Sequence, residues 1–311
     1  MGSEEAKTVF LTGGTGFIGG AALRELLARG YRVRCLARQK SVGKLPKAER
    51  VEVVAADLLA PRAYTRQLSG CVAAVHCVGI IAETRDETFR GIHIEGTQNL
   101  VVACQKMGVR RLVHISALGA RPSPDIPYFH TKHEAEILVR TSGLDWTILR
   151  PSLVHGPDGK LIRMLARMVR GPLPVPVPGN GRQPLQPVFV GDLARIIADA
   201  LERPATAGRT YEVGGDRVVT YDELLDALSQ AILGRRRWKV HVPVFLAKLG
   251  AAMLEAVLSR PPFTRAQLRM LFAGSVCESL EPLERDFGFR PPGFEQSLAG
   301  YAEQLKPRRK T

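Results

Sequence analysis

The chain has 311 residues, 45% of them hydrophobic and 24% charged, enough for one large or two modest buried cores. No apolar run approaches the ~18 residues of a spanning helix, and the five cysteines (Cys35, Cys71, Cys77, Cys104, Cys277) match neither a zinc pattern nor a CxxC pair. The net charge of +14 comes without a zinc-finger, helix-turn-helix or RNA-binding signature, so no specific nucleic-acid partner is expected.

Residues 1–9 lack the basic flank and apolar core of a signal peptide; with the scattered cysteines this predicts a cytoplasmic protein. Residues 9–11 predict a short apolar strand. Residues 16–29 predict a helix with Ile18, Ala21, Ala22 and Leu26 on one face, closed by Gly30. Further strands are expected at 31–37, 51–55, 73–78, 112–116 and 147–149, with a helix over 96–107. This alternation predicts an α/β fold, a Rossmann-type doubly wound parallel sheet covered on both faces.

The character changes at 171–187, where Pro172, Pro174, Pro176 and Pro178 alternate with apolar residues. Proline cannot donate to a ladder, so an extended loop or edge segment is expected. A strand returns near 188–190, Asp192 is placed to cap a helix over 193–201, another strand lies at 211–213, and Thr220 with Glu223 forms a capping-box pattern. Residues 244–258 are apolar almost all round, broken by Lys248 and Glu255. A buried helix and one lying on a membrane or partner surface both remain open. Basic residues cluster at 235–239 and 306–310. The expected organisation is a dinucleotide-binding core over 1–155 and a smaller, mostly helical region over 156–311 for substrate or partner, with 188–215 returning to the sheet.

The chemistry concentrates at the turn between the first strand and helix, Thr12-Gly13-Gly14-Thr15-Gly16-Phe17-Ile18-Gly19. Gly13 supplies the tight turn, Gly16 lets the backbone approach a pyrophosphate, and Gly19 lets the helix pack close to the sheet. The helix N-terminus then offers unpaired N–H groups to the phosphates. After the second strand an NAD site usually carries an acidic residue. Residues 35–40 carry none; Arg38 can instead fork onto a 2′-phosphate and Lys40 can add a point charge. NADP(H) is therefore the expected cofactor, with NAD(H) the alternative. The histidines show no metal-ligand spacing, and no metal is expected.

TGGTGFIGG resembles the extended and atypical short-chain dehydrogenase/reductases, whose turn is spaced G-x-x-G-x-x-G. The series HCVGII, GTQNLV, RLVHISALGA, YFHTKHEAE, LDWTILRPSLVHGP, QPVFVGDLA and PPFTRAQLRML looks like bacterial relatives of the nucleotide-binding accessory subunit of respiratory complex I, over nearly the whole chain. The resemblance implies that Asp57 and Leu58 meet the adenine, that Cys77, Val78 and Gly79 line the cofactor, and that Pro151, Ser152, Leu153 and Val154 border the nicotinamide. It implies a Tyr-x-x-x-Lys pair, here Tyr128 and Lys132, in which the lysine lowers the tyrosine pKa and holds the ribose while the tyrosine moves a proton. Ser116 occupies the first serine position of the family pattern, but Ala117 and Leu118 stand where a substrate-orienting hydroxyl is usual. His155 is a further candidate for a substrate pocket.

Two functions follow. One is an NADPH-dependent oxidoreductase or isomerase for a hydrophobic, quinone- or isoprenoid-like substrate. The other is a protein that holds NADP(H) without turning it over, tied to a respiratory or quinone-related complex. Peripheral attachment to the inner face of the membrane through 235–258 is compatible with both.

Overall fold

The computed structural model describes residues 6–258 and 263–306; of the basic run 306–310, all but Lys306 lie outside them. In chain order the strands are β1 (Thr8–Thr12), β2 (Arg32–Ala37), β3 (Val51–Ala55), β4 (Cys71–His76), β5 (Arg111–Ile115), β6 (Asp145–Pro151), β7 (Val154–His155), β8 (Val175–Pro178), β9 (Pro184–Leu185), β10 (Val188–Phe189), β11 (Arg209–Val213), β12 (Val219–Thr220) and β13 (Lys239–Val242). The α-helices are α1 (Phe17–Ala28), α2 (Gly96–Met107), α3 (Pro127–Arg140), α4 (Lys160–Arg170), α5 (Val190–Glu202), α6 (Tyr221–Leu233), α7 (Val244–Val257), α8 (Arg265–Phe272), α9 (Glu281–Phe287), α10 (Phe294–Ala299) and α11 (Ala302–Leu305).

The chain folds as two units. The first runs to Pro151 and adds Val190–Val213 and Glu281–Phe289. Its seven-stranded sheet has the order β11-β6-β5-β4-β1-β2-β3, parallel at every pairing. The sequence of β1 explains its central place: Val9, Phe10, Leu11 and Thr12 are all fully buried, which only a strand covered on both faces allows. α1 packs with α5, and α2 packs with α3. Strand order reverses at β1, between β2 and β4, so the crevice beyond the carboxyl ends of β1 and β4 is where a doubly wound sheet takes its ligand.

One expectation is corrected here. α5 starts at Val190, so Asp192 lies inside the first helical turn and does not cap it; its Oδ2 is buried without a hydrogen-bond partner, and burial raises its pKa. The helix expected over 96–107 is present with those bounds, and a π-helical segment, Arg90–Glu95, leads directly into it.

The second unit comprises Ser152–Phe189, Gly214–Leu280 and the residues from Arg290 onward. Three two-stranded ladders, β10 with β7, β12 with β9 and β13 with β8, accompany a core drawn largely from α4, α6, α10 and α11. The proline-rich segment becomes β8, paired parallel with β13 from Val175↔Lys239 to Pro178↔Val242. The ladder survives because the prolines fall on alternate positions: Val175 and Gly179 N–H donate to the Trp238 and Val242 carbonyls (2.9 and 2.8 Å). α6 starts on the expected capping box, Thr220 N–H donating to Glu223 (2.7 Å) and Glu223 N–H to the Thr220 hydroxyl (3.2 Å). α7 buries only Ala251 and leaves Phe245, Leu246, Leu249, Met253 and Val257 exposed. Among the described residues no helix is long and apolar enough to cross a membrane.

Candidate dinucleotide site

The turn after β1 is built by backbone sterics. Gly13 has φ +80°, and a Cβ on it would lie 2.8 Å from the Cys77 carbonyl carbon. A Cβ on Gly19 would lie 2.1 Å from the Gly13 carbonyl oxygen. Gly16 N–H closes the turn on that same oxygen (2.8 Å). Gly16 is the N-cap of α1; no side chain caps the helix and no acidic residue lies in its first turn. The first-turn N–H groups, with the helix dipole behind them, thus suit an anion. Gly16 is exposed, and Thr15, Phe17 and Ile18 beside it are half-buried.

Beyond β2, Arg38 begins the 3-10 turn Gln39–Lys44, in which Lys40 is exposed. No acidic residue lies close to Arg38 in sequence, but the fold supplies one: Glu87, from the loop after β4, forms an ion pair with the Arg38 guanidinium. Asp57 is exposed and its carboxylate accepts from Leu59 N–H (2.9 Å), while Leu58 is buried.

Around β4, β5 and α3 lie the groups expected at the reacting end. Lys132 is buried, and its Nζ donates to the Ile115 carbonyl (2.9 Å). Gly79 leaves it room, since a Cβ there would sit 3.1 Å from that Nζ. Burial pulls the Lys132 ammonium down to about 8 and pushes the neighbouring Cys77 thiol up to about 12, so Cys77 is a neutral thiol. Val78 next to it packs against the first unit's core. Ser116 follows Ile115; its hydroxyl is buried without a hydrogen-bond partner. Tyr128 stands in the first turn of α3, one turn before Lys132, with its ring among Phe89, His93 and Phe129 (centroids 5.9, 5.6 and 5.7 Å). Burial alone pushes its phenol up to about 12. The structure therefore fixes Lys132 on the Ile115 carbonyl, one residue before Ser116; the expected lowering of the Tyr128 pKa by Lys132 is corrected, since burial raises it instead.

Beneath them runs a hydrogen-bonded chain that residue spacing did not reveal. Thr12 Oγ1 meets His76 Nδ1 (2.6 Å), His76 Nε2 meets Thr97 Oγ1 (3.1 Å), and the Thr97 hydroxyl donates to the His93 carbonyl (2.6 Å). His93 Nε2 accepts from Ile80 N–H (3.1 Å), which leaves Nδ1 to donate to Thr131 Oγ1 (2.9 Å). Burial and the Lys132 charge drive His76 down to about 3 and His93 to about 2, so both are neutral. His114 lies 5.3 Å from His76, its ring nitrogens buried without partners, and is likewise held neutral by burial. Residue spacing assigned these histidines no role, because nothing local marks their partners.

The sequence profile of the NAD dependent epimerase/dehydratase family matches residues 9–214. The chain belongs to this family. Among its relatives, the mitochondrial NADH-ubiquinone oxidoreductase 40 kDa subunit of Neurospora crassa is 27% identical over 96% of this chain and 79% of its own length. The 2-alkyl-3-oxoalkanoate reductase of Stenotrophomonas maltophilia is 28% identical over 91% of this chain and 94% of its own. The solved dTDP-glucose 4,6-dehydratase DesIV of Streptomyces venezuelae, with NAD and TYD bound, superposes with a TM-score of 0.75 over 96% of each chain at 24% identity, a likeness of fold.

In this epimerase/dehydratase family member the segment 151–154, expected to border the nicotinamide, and Arg150 before it are tied by bonds and packing of their own. Arg150 grips the fully buried Glu136 with two bonds (2.8 and 2.7 Å), and Arg140 adds a third (2.7 Å). A carboxylate taken wholly out of water needs such partners. Pro151 ends β6 and accepts from Leu118 N–H (2.9 Å). Ser152, Leu153 and Val154 belong to the second unit, where the Ser152 hydroxyl donates to the Ser275 carbonyl (3.2 Å) and Leu153 packs on the core. His155 is fully buried there, its Nδ1 hydrogen-bonded with the Tyr301 hydroxyl (2.8 Å) among Phe189, Phe294 and Tyr301. The expectation that His155 lines a substrate pocket is thereby corrected.

Proposed function

We propose that this chain is an NADP(H)-dependent reductase of carbonyl groups on hydrophobic molecules. The observation that carries the reading is Tyr128 standing one helical turn before Lys132, whose Nζ is fixed on the Ile115 carbonyl at the end of β5. A protonated phenol at that position can give the proton that a carbonyl oxygen needs when it is reduced. The bound dinucleotide supplies the hydride. Tyr128 gives its proton to the carbonyl oxygen, Ser116 is available to hold that oxygen, and Lys132 holds the ribose. Arg38 supports the 2′-phosphate form. The reductase relatives, one named for 2-alkyl-3-oxoalkanoates and one for ceramide, are consistent with an apolar carbonyl substrate. The test is NADPH oxidation by the full chain with quinone analogues and long-chain 3-oxo compounds, with product identified by mass spectrometry. The reading predicts one alcohol or quinol per NADPH, lost in Tyr128→Phe. No product from any of them favours the second reading.

That second reading, an NADP(H)-holding component of a respiratory or quinone-related assembly, is favoured by Ala117 and Leu118. Both are buried and neither can orient a substrate oxygen. The complex I subunit relatives point the same way.

Either function fits a protein that rests on an anionic membrane face, and α7 favours that location. Phe245, Leu249, Met253 and Val257 recur every fourth residue and are 57–81% exposed, so the apolar stripe points outward. Glu255 is taken out of the balance by Arg265 (2.7 Å). In the preceding basic cluster Arg237 and Lys239 have internal partners and Arg236 reaches Asp226 only at 4.0 Å, while Arg235, Arg236 and Trp238 are exposed. Cations and an aromatic beside an apolar stripe match an anionic lipid surface.

A further inference from the structure

The ion pair between Arg38 and Glu87 occupies the group expected to read a 2′-phosphate. The loop that carries Glu87 is ordered by its own bonds: Thr84 N–H donates to the Glu87 carbonyl (2.9 Å), and Phe89 N–H to the Glu83 carboxylate (2.7 Å). Thr88 Oγ1 receives Gly91 N–H (3.0 Å) and so ties the loop to the helical segment that follows. Phe89 packs against His93 and Tyr128 (centroids 5.4 and 5.9 Å). A carboxylate offers a guanidinium two acceptor oxygens, as a phosphate does. Two such anions on one guanidinium repel each other strongly at that distance.

We propose that Glu87 is a built-in competitor for the 2′-phosphate and so a determinant of coenzyme choice: NADP(H) binds by displacing its carboxylate from Arg38, and NAD(H) binds without doing so. This rests on the assignment of Arg38 to the 2′-phosphate. Arg38 is 41% exposed, so the pair is weak enough to be exchanged for a phosphate carrying more charge. Displacement also releases the loop 83–89 at one end, and Phe89 carries that release to the ring of Tyr128. The adenosine end of the dinucleotide is thereby sensed at the opposite end of the site, through residues of one short loop.

The experiment titrates the full chain, Glu87→Gln and Arg38→Gln with NADPH and with NADH, and follows hydrogen–deuterium exchange of 83–89 in the wild type with each. Glu87→Gln should tighten NADPH about threefold or more and leave NADH unchanged. NADPH, and not NADH, should speed exchange in 83–89. If Arg38→Gln abolishes the preference for NADPH while Glu87→Gln shifts neither affinity, and exchange responds alike to both dinucleotides, Glu87 is no competitor although Arg38 still reads the phosphate. If Arg38→Gln leaves the ratio of the two affinities untouched, the assignment of Arg38 fails and the proposal with it.

Discussion

The two ends of the dinucleotide site are held by different physics. At the pyrophosphate end, backbone meets backbone: Gly13 against Cys77, and Gly19 against Gly13, at distances that exclude any side chain. At the reacting end, buried polar side chains are anchored one by one: Lys132 on the Ile115 carbonyl, and His93 between Ile80 N–H and the Thr131 hydroxyl, while the Ser116 hydroxyl has no hydrogen-bond partner among the described residues. The first arrangement is rigid and insensitive to pH. The second depends on keeping several titratable groups neutral or displaced in pKa, so it is the more easily unsettled.

The comparison breaks most readily at Gly19. Gly19→Val puts a branched side chain where even a Cβ would be 2.1 Å from the Gly13 oxygen. Calorimetric titration should show NADPH affinity down by about 100-fold or more, about 2.7 kcal/mol or more. Retained affinity would mean that the turn is not the binding element.

Acid should strike the other end. His76, His93 and His114 stay neutral in the folded chain well below 6.5, while the unfolded chain takes up protons from about that pH downward. Stability is therefore complete above that point and lost as the pH falls from 6.5, at up to about 1.4 kcal/mol per pH unit for each group. Urea unfolding midpoints at pH 7.5, 6.5 and 5.5 should fall steadily, and a flat profile down to pH 5 would show that these histidines do not stay neutral.

Lys132→Met separates binding from stability. If Lys132 holds the ribose as proposed, the substitution should lower dinucleotide affinity about tenfold, about 1.4 kcal/mol. It also removes a buried ammonium whose pKa is depressed from 10.5 to about 8. Such a group weakens the fold fully below pH 8, and the deficit is recovered as pH rises toward 10.5. The variant should thus unfold at higher temperature than wild type at pH 7, with the advantage shrinking above pH 8. A lower melting temperature at pH 7 would indicate that the bond to Ile115 outweighs the burial of charge.

The smallest effect on stability is expected outside both ends. Phe245→Ser with Leu249→Ser changes two exposed side chains, so stability should move by no more than about 0.5 kcal/mol. Co-sedimentation with phosphatidylglycerol-containing vesicles should be lost. Undiminished co-sedimentation would dismiss the stripe as the membrane contact.

The same contrast decides how much was legible in the sequence. The positions of the strands and helices of the first half, the glycine turn and the capping box at Thr220 rest on interactions a few residues long, and local pattern carries them. The proline segment was legible as an edge because its alternation is itself local. Glu87 was missed because its partner is Arg38, 49 residues away, in a stretch with no periodicity to flag it. His155 looked like a loop residue near a substrate, yet Tyr301, 146 residues on, buries and bonds it. Asp192 had the chemistry of a cap, but Val190 and Gly191 extended the helix past it. The outward stripe of α7 needed the structure, because apolar periodicity gives a face without saying what that face meets.

The crystal structure of the full chain with NADPH tests the central claim most directly. It should place the pyrophosphate over Gly13–Gly16 at the start of α1, and the 2′-phosphate within hydrogen-bond distance of the Arg38 guanidinium. A dinucleotide seated away from that turn, or one whose 2′-phosphate faces solvent while Arg38 remains on Glu87, would contradict it.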